Sequence, residues 1–166
     1  VAVPNEADLL SVIEQVQQKE ISPYEENVST EPLVAQVPTP GTVLTESRID
    51  TLNVTEWVLS NGIRVVMKPT DFKNDEILFT SFSPGGHSLV EDEDYVAAST
   101  ATAVLSESGL GKFTQIELGK KLAGKVVRVS SGIGTRTESV SGSASPQDLE
   151  TLFQLIYLKF MTPRAD

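Results

Sequence analysis

Between residues 54 and 67 apolar and polar side chains alternate in two short runs, one ending at Leu59 and the other starting at Ile63, with Asn61-Gly62 between them. Period-two alternation marks strands that turn one face to a core. Asn-Gly between two such runs predicts a hairpin with a type I′ turn, because both central residues of that turn need positive φ. Trp57 and Leu59 then share one face, and Ile63, Val65 and Met67 share one face of the return strand. A third strand is expected at 76–82.

Beyond the third strand the pattern changes to helical spacing. A helix is expected over 94–108, ending at Gly109. Thr114 and Glu117 form a capping box that opens a second helix through Leu122, with Gly124 suited to the position just past its end. Strands follow at 125–132 and 136–142. Ser145-Pro146 then supplies an N-cap and first-turn pair for a helix whose Leu149, Leu152, Phe153, Ile156 and Phe160 make one apolar stripe, expected to be buried against a sheet. Three strands, two helices, two strands and a helix predict an α+β fold, with helices packed on one face of an antiparallel or mixed sheet.

The N-terminal third reads differently. Asn5 is placed to cap a helix over 6–20 with Leu9, Ile13 and Val16 at helical spacing, an amphipathic element expected to dock on another surface. From 21 to 53, Pro23, Pro32, Pro38 and Pro40 stand among Ser, Thr and Glu, which discourages regular structure and predicts a connector draped over a neighbouring domain. The chain therefore divides into 1–53, helix and connector, and 54–166, a folded domain, with the boundary near Thr51 to Val54.

Charge sharpens this division. The net charge is −10, and residues 1–53 hold nine acidic against two basic residues, while 54–166 hold fourteen against eleven. With no cluster of Lys and Arg, nucleic acid is not an expected partner. No apolar run is long enough to span a bilayer. Val1-Ala-Val-Pro4 does not read as a signal peptide. The absence of cysteine excludes disulfides and thiol chemistry.

The run Val54-Thr-Glu-Trp-Val-Leu-Ser-Asn-Gly-Ile-Arg-Val-Val-Met-Lys-Pro69, with its Leu-x-Asn-Gly-Ile-Arg-Val core, resembles the opening of a domain of the pitrilysin/insulinase family of zinc peptidases, the inverzincins. Lys68 to Gly86 and Gly142 to Tyr157 are similar to the second, non-catalytic half of bacterial two-half members. The resemblance covers about two-thirds of the chain. It implies a pitrilysin-like fold that continues past Asp166, and a connector joining two halves.

In a catalytic half of that family, the helix after the third strand carries His-x-x-Glu-His, followed closely by a glycine. With Gly109 as that glycine, the histidine positions fall on Thr100 and Val104 and the glutamate on Ala103. Two imidazoles one turn apart hold Zn²⁺ and a carboxylate takes a proton from bound water. Hydroxyl, methyl and isopropyl groups do neither. The resemblance therefore implies no catalytic or metal-binding residue and no cofactor in this chain. Zinc is expected in the active half of the parent protein.

Other motifs have simpler readings. His87 beside Ser88 suggests a nucleophile pair, but adjacent residues rarely face each other as a triad requires, so a turn histidine is expected. Glu91 to Asp94 lacks the ligand spacing of a calcium loop and suits a helix N-terminus. Gly109-Leu-Gly-Lys112 lacks the first glycine and the Ser/Thr of a phosphate loop. Gly132-Ile-Gly134 reads as a turn.

The resulting expectation is an inactive peptidase-like domain that helps to close a peptide chamber. Its partners would be the catalytic half of the same polypeptide and an unfolded peptide substrate, in the bacterial periplasm or cell envelope. A non-enzymatic assembly module, similar to the core subunits of respiratory complexes, is the alternative. An open sheet edge makes a homodimer possible.

Overall fold

The computed structural model describes residues 3–20 and 29–165. Helix α1 spans Glu6–Gln18 and begins as expected at Asn5. The Asn5 side chain accepts from the Asp8 N–H at 3.0 Å, and the Asp8 carboxylate accepts from the Asn5 N–H at 3.0 Å. Two of the four orphan donors of a helix start are thereby satisfied. Leu9, Leu10, Val12, Ile13 and Val16 all remain more than half exposed. The apolar stripe of α1 is thus uncovered among the described residues.

Part of the expected connector has definite structure. Leu33 and Val34 pack against a buried cluster of Leu110, Leu155 and Leu158. The Lys121 ammonium donates to the Ser29 carbonyl at 3.0 Å, and Lys112 pairs with Glu31 at 3.1 Å. This strap lies on the fold that follows it. Further on, β1 (Val43–Ile49) forms within the stretch read as connector, pairing antiparallel with β2 (Val54–Leu59). The Val-Leu-Thr-Glu-Ser-Arg-Ile sequence of β1 has no proline, and a single turn of 3-10 helix at Asp50–Leu52 with Asn53 left-handed (φ 51°) reverses the chain into β2. Residues 21–28 of the expected connector lie outside the described residues.

The hairpin of β2 and β3 (Arg64–Met67) is present with the expected facing, since Trp57 pairs with Val65 and Thr55 with Met67. Its turn is not type I′. Only Gly62 has positive φ (84°) in the loop, the Gly62 N–H donates to the Leu59 carbonyl at 2.9 Å, and the Leu59 N–H donates to the Ile63 carbonyl at 2.9 Å. This is a three-residue loop, a type I turn closed by a left-handed glycine. The Asn61 side chain accepts from the Ile63 N–H at 3.1 Å, so asparagine acts through its amide and not through left-handed backbone. On the other side of β2, the Trp57 indole donates to Glu46 at 2.8 Å across the sheet.

The strands divide between two antiparallel sheets, β1-β2-β3 and β4-β6-β5, with β4 at Ile77–Pro84, β5 at Val127–Ile133 and β6 at Thr137–Ala144. The α+β class and the antiparallel pairing agree with the expectation. Helix α2 (Tyr95–Glu107) packs on β5, and α4 (Leu149–Met161) packs on β5 and β6. The short α3 (Gln115–Lys121) starts with the capping box of Thr114 and Glu117. Gly124 follows it with φ 81°.

Helix α4 follows one turn of 3-10 helix at Pro146–Asp148, whose cap is Ser145 as expected. Its buried stripe is not the one read from the sequence. Leu152, Leu155 and Leu158 are buried, whereas Phe153 is 51 % and Phe160 68 % exposed. The Phe153 ring meets Phe79 of β4 edge to face at 5.8 Å, at the margin of the packed layer. Apolar residues occupy nearly every side of this helix, so spacing alone allows two phases.

Asp148 ties the start of α4 to the start of β5. Its carboxylate accepts from the Val126 N–H at 2.9 Å and the Ser145 hydroxyl at 2.8 Å, and pairs with Lys125 at 3.3 Å. The backbone bond from Val126, then the Ser145 hydroxyl, hold its pKa below the ordinary carboxylate range. The hydrogen bonds from Thr114 do the same for Glu117. A depressed folded-state value stabilises the fold above the unfolded value and is lost as pH falls through the folded one. The urea midpoint should therefore fall between about pH 5 and about pH 2, and Asp148→Asn should flatten that decline.

Candidate functional site

Helix α2 occupies the place of the metal-binding helix in the family resemblance, and its two faces differ. Ala98, Ala101, Thr102 and Leu105 are half-buried on the side that packs on β5. Thr100, Ala103 and Val104 come together on the opposite, exposed side with Val96. They are thus adjacent in space, one turn apart, in the arrangement that the motif spacing requires.

Their chemistry is spent locally. The Thr100 hydroxyl donates to the Val96 carbonyl at 2.7 Å, and Ser99 donates to the same carbonyl at 3.1 Å. The hydroxyls of Ser106 and Ser108 turn back onto the carbonyls of Ala103 and Val104, at 2.8 and 2.9 Å. Such bonds fix the hydroxyls against the helix backbone. A zinc site needs imidazole, thiolate or carboxylate donors, and the residues at these positions do not fit one. Among the described residues, no group of three or more His, Cys, Asp and Glu could hold a metal ion.

The remaining candidates resolve into turns. His87 lies in a single turn of 3-10 helix, its N–H donating to the Gly134 carbonyl at 3.0 Å, while Ser88 donates to Thr135 at 3.0 Å. The imidazole stands edge to face on Tyr95, with centroids 5.1 Å apart. Its ring packs on the start of α2. Asp92, Glu93 and Asp94 form an exposed turn before α2. Gly109 to Lys112 make a tight reversal in which Leu110 and Phe113 exchange backbone hydrogen bonds of 2.8 and 3.0 Å. Gly134 closes the β5–β6 hairpin by donating to Thr137 at 2.8 Å.

A shallow cleft of ≈ 190 Å³ is lined by Lys73, Asp75, Glu76, Val126, Ser143 and Ala144. Its Lys73 is held above the ordinary lysine value by the hydrogen bond to Glu76. A second, much smaller gap of ≈ 20 Å³ lies between Leu105, Lys159 and Arg164. Desolvation keeps Lys159 below its ordinary value there. Pockets that engulf small ligands run to several hundred Å³, so both are too small for one.

What the structure does present is an open sheet face. On β4, β5 and β6, the side away from α2 and α4 carries Leu78, Thr80 and Phe82, then Ser139 and Ser141, then Arg128 and Ser130. Leu78 is 75 % and Phe82 80 % exposed. The Ser130 and Ser141 hydroxyls share a hydrogen bond of 2.9 Å. Sequence reading passed over this face, although apolar residues at both phases of β4 (Ile77 and Phe79 against Leu78 and Phe82) signal it.

No family model matches the chain. It is 33% identical over 146 residues to a zinc protease PQQL-like protein of Arabidopsis thaliana, which covers 88% of this chain and 13% of that relative. It is 24% identical over 119 residues to a probable zinc protease PqqL of Haemophilus influenzae, covering 72% of this chain and 13% of the relative. Among solved structures, the periplasmic protease PqqL from Escherichia coli superposes with a TM-score of 0.78 at 20% identity, over 98% of this chain and 18% of that one. A mutant of the ferredoxin protease FusC, in complex with Arabidopsis ferredoxin, gives 0.74 at 21% identity over 100% and 18%. The fold is thus pitrilysin-like, and the chain spans about an eighth of the length of its curated relatives, the 13% given above.

Proposed function

Because its homologues are PqqL-like zinc proteases of the pitrilysin family, we propose that the chain is a non-catalytic, peptidase-like segment of a longer metal-dependent protease. The observation that carries this reading is the outward face of α2. With Gly109 taken as the glycine of the family motif, its ligand and base positions fall on Thr100, Ala103 and Val104, which stand together on that face and offer neither. Zinc and the proton-accepting carboxylate then come from another half of the same polypeptide.

The contribution of this segment is confinement. It supplies wall and closing surface for a chamber that holds an unfolded peptide, raising the effective concentration of the scissile bond at the distant metal. The open face of β4, β5 and β6 is shallow and rich in hydroxyls, which suits contact with peptides of varied sequence. The periplasmic location of the E. coli structural relative supports placing the parent protein in the cell envelope.

Elemental analysis of the purified chain, beside cleavage of a fluorogenic peptide with and without chelator, tests the reading. Less than stoichiometric zinc and no chelator-sensitive cleavage are expected. One zinc per chain together with chelator-sensitive cleavage would overturn it.

A further inference from the structure

The strap and the last residues of the chain reach the same small loop from opposite ends of the sequence. Leu33 and Val34 are half-buried against Leu110, Leu155 and Leu158, with Leu118 and Leu122 alongside. Leu110 lies in the reversal at 109–113, and past α4 the chain returns to that reversal. The Gly111 N–H donates to the Thr162 carbonyl at 3.0 Å, Leu110 bridges to Pro163, and the Arg164 guanidinium donates to the Lys112 carbonyl at 3.2 Å.

Lys112 shows the meeting point most directly. Its carbonyl accepts from Arg164, while its ammonium pairs with Glu31 of the strap at 3.1 Å. Next to it, the Lys121 ammonium lies 5.2 Å from the centre of the Phe113 ring and donates to the Ser29 carbonyl. The Lys112–Glu31 pair is exposed on both sides and adds little by itself. The seating of Leu33 and Val34 on Leu110 therefore carries most of the attachment, since burial of apolar area is the larger favourable contribution.

We infer that the reversal at 109–113 is a clasp that couples the arriving connector to the stretch after α4. With the strap seated, the reversal is held in the form that binds Thr162 and Arg164, and release of either side loosens the other. The reversal has little freedom to answer one side alone. Gly111 is fixed in left-handed backbone (φ 59°), and Leu110 and Phe113 close on each other across it. A shift of Leu110 with a departing strap thus draws the Gly111 N–H away from the Thr162 carbonyl. Such coupling is reciprocal by linkage, so a displaced stretch at Thr162 to Arg164 weakens the seat of the strap by the same factor. These contacts lie within the chain and hold whether or not the chamber reading does.

Hydrogen exchange and thiol labelling of the purified chain test the two directions. Leu33→Ala should speed exchange of the Gly111 amide at least about fivefold, the low end of ordinary coupling between sites, with the amides of the central strand β6 unchanged. Lys121→Gln, which releases the Ser29 carbonyl and leaves the apolar residues in place, should act in the same direction and keeps the test valid if Leu33→Ala unsettles the core. Since the chain has no cysteine, Val34→Cys gives a single half-buried thiol. Adding Arg164→Glu, which sets a carboxylate against the Lys112 carbonyl, should raise the reaction rate of that thiol with a disulfide reagent by a similar factor. Gly111 exchange at the wild-type rate in both strap variants, a thiol indifferent to Arg164→Glu, or acceleration spread evenly over β6 would each overturn the proposal.

Discussion

Leu152→Ala is expected to lower the free energy of unfolding by about 2–5 kcal/mol, toward the upper end of that range. Leu152 is fully buried at 0% exposure. It fills the space above Gly142 on the central strand β6, where a Cβ on that glycine would stand 2.8 Å from the Leu152 Cδ1. The fit is one of large against absent side chain. Truncation leaves a hole that β6 cannot close, because that strand is hydrogen-bonded to β4 on one side and β5 on the other. Against a typical net stability of about 5–15 kcal/mol, such a loss is decisive for a fold with few buried side chains. Urea denaturation followed by circular dichroism measures it. A shift of only a few tenths of a kcal/mol would mean that Leu152 is not the keystone of this layer.

The second large effect is expected at Gly109→Ala. A Cβ there would stand 1.9 Å from the Phe113 carbonyl oxygen and 2.7 Å from the Thr114 Cα, both backbone atoms. Neither can swing aside as a side chain would. Relief requires opening the reversal in which Leu110 and Phe113 bond to each other, and in which Gly111 donates to the Thr162 carbonyl at 3.0 Å. Leu110, 6% exposed, belongs to the same cluster as Leu155 and Leu158, so the strain reaches the core. Overpacking of this kind costs about 1–3 kcal/mol. Hydrogen exchange should accelerate at Leu110 and Phe113 first. Native-like protection at those amides in the variant would contradict the steric argument.

Local chemistry made much of this fold legible. The N-cap at Asn5, the capping box at Thr114 with Glu117, and the Ser145-Pro146 start each satisfy helix donors with side chains a few residues away, so a linear sequence contains the whole interaction. The hairpin was readable for the same reason, but its turn was not. Asn-Gly serves both a two-residue loop and a three-residue loop, and the choice depends on how β2 and β3 register against each other. The phase of α4 was illegible because tertiary packing alone selects Leu155 and Leu158 over Phe153 and Phe160. The strand β1 was hidden by its polar composition, which reads as connector until β2 supplies a partner. As for the candidate site, Thr100, Ala103 and Val104 could be placed on one helix face from spacing. That this face is exposed, with its hydroxyls tied to carbonyls, could not.

The strap at Ser29 to Val34 sets how far the N-terminal helix can stray. Because Lys121 grips the Ser29 carbonyl and Leu33 and Val34 are seated in the core cluster, the leash to α1 starts at Ser29 and not at β1. The ten residue steps from Lys19 to Ser29 reach at most about 35 Å however they run. That radius bounds the C-terminal end of α1, and the apolar stripe back to Leu9 reaches about 15 Å further along the helix, so lengthening the chain between Lys19 and Ser29 extends the search, whereas lengthening it between Val37 and Thr42 does not.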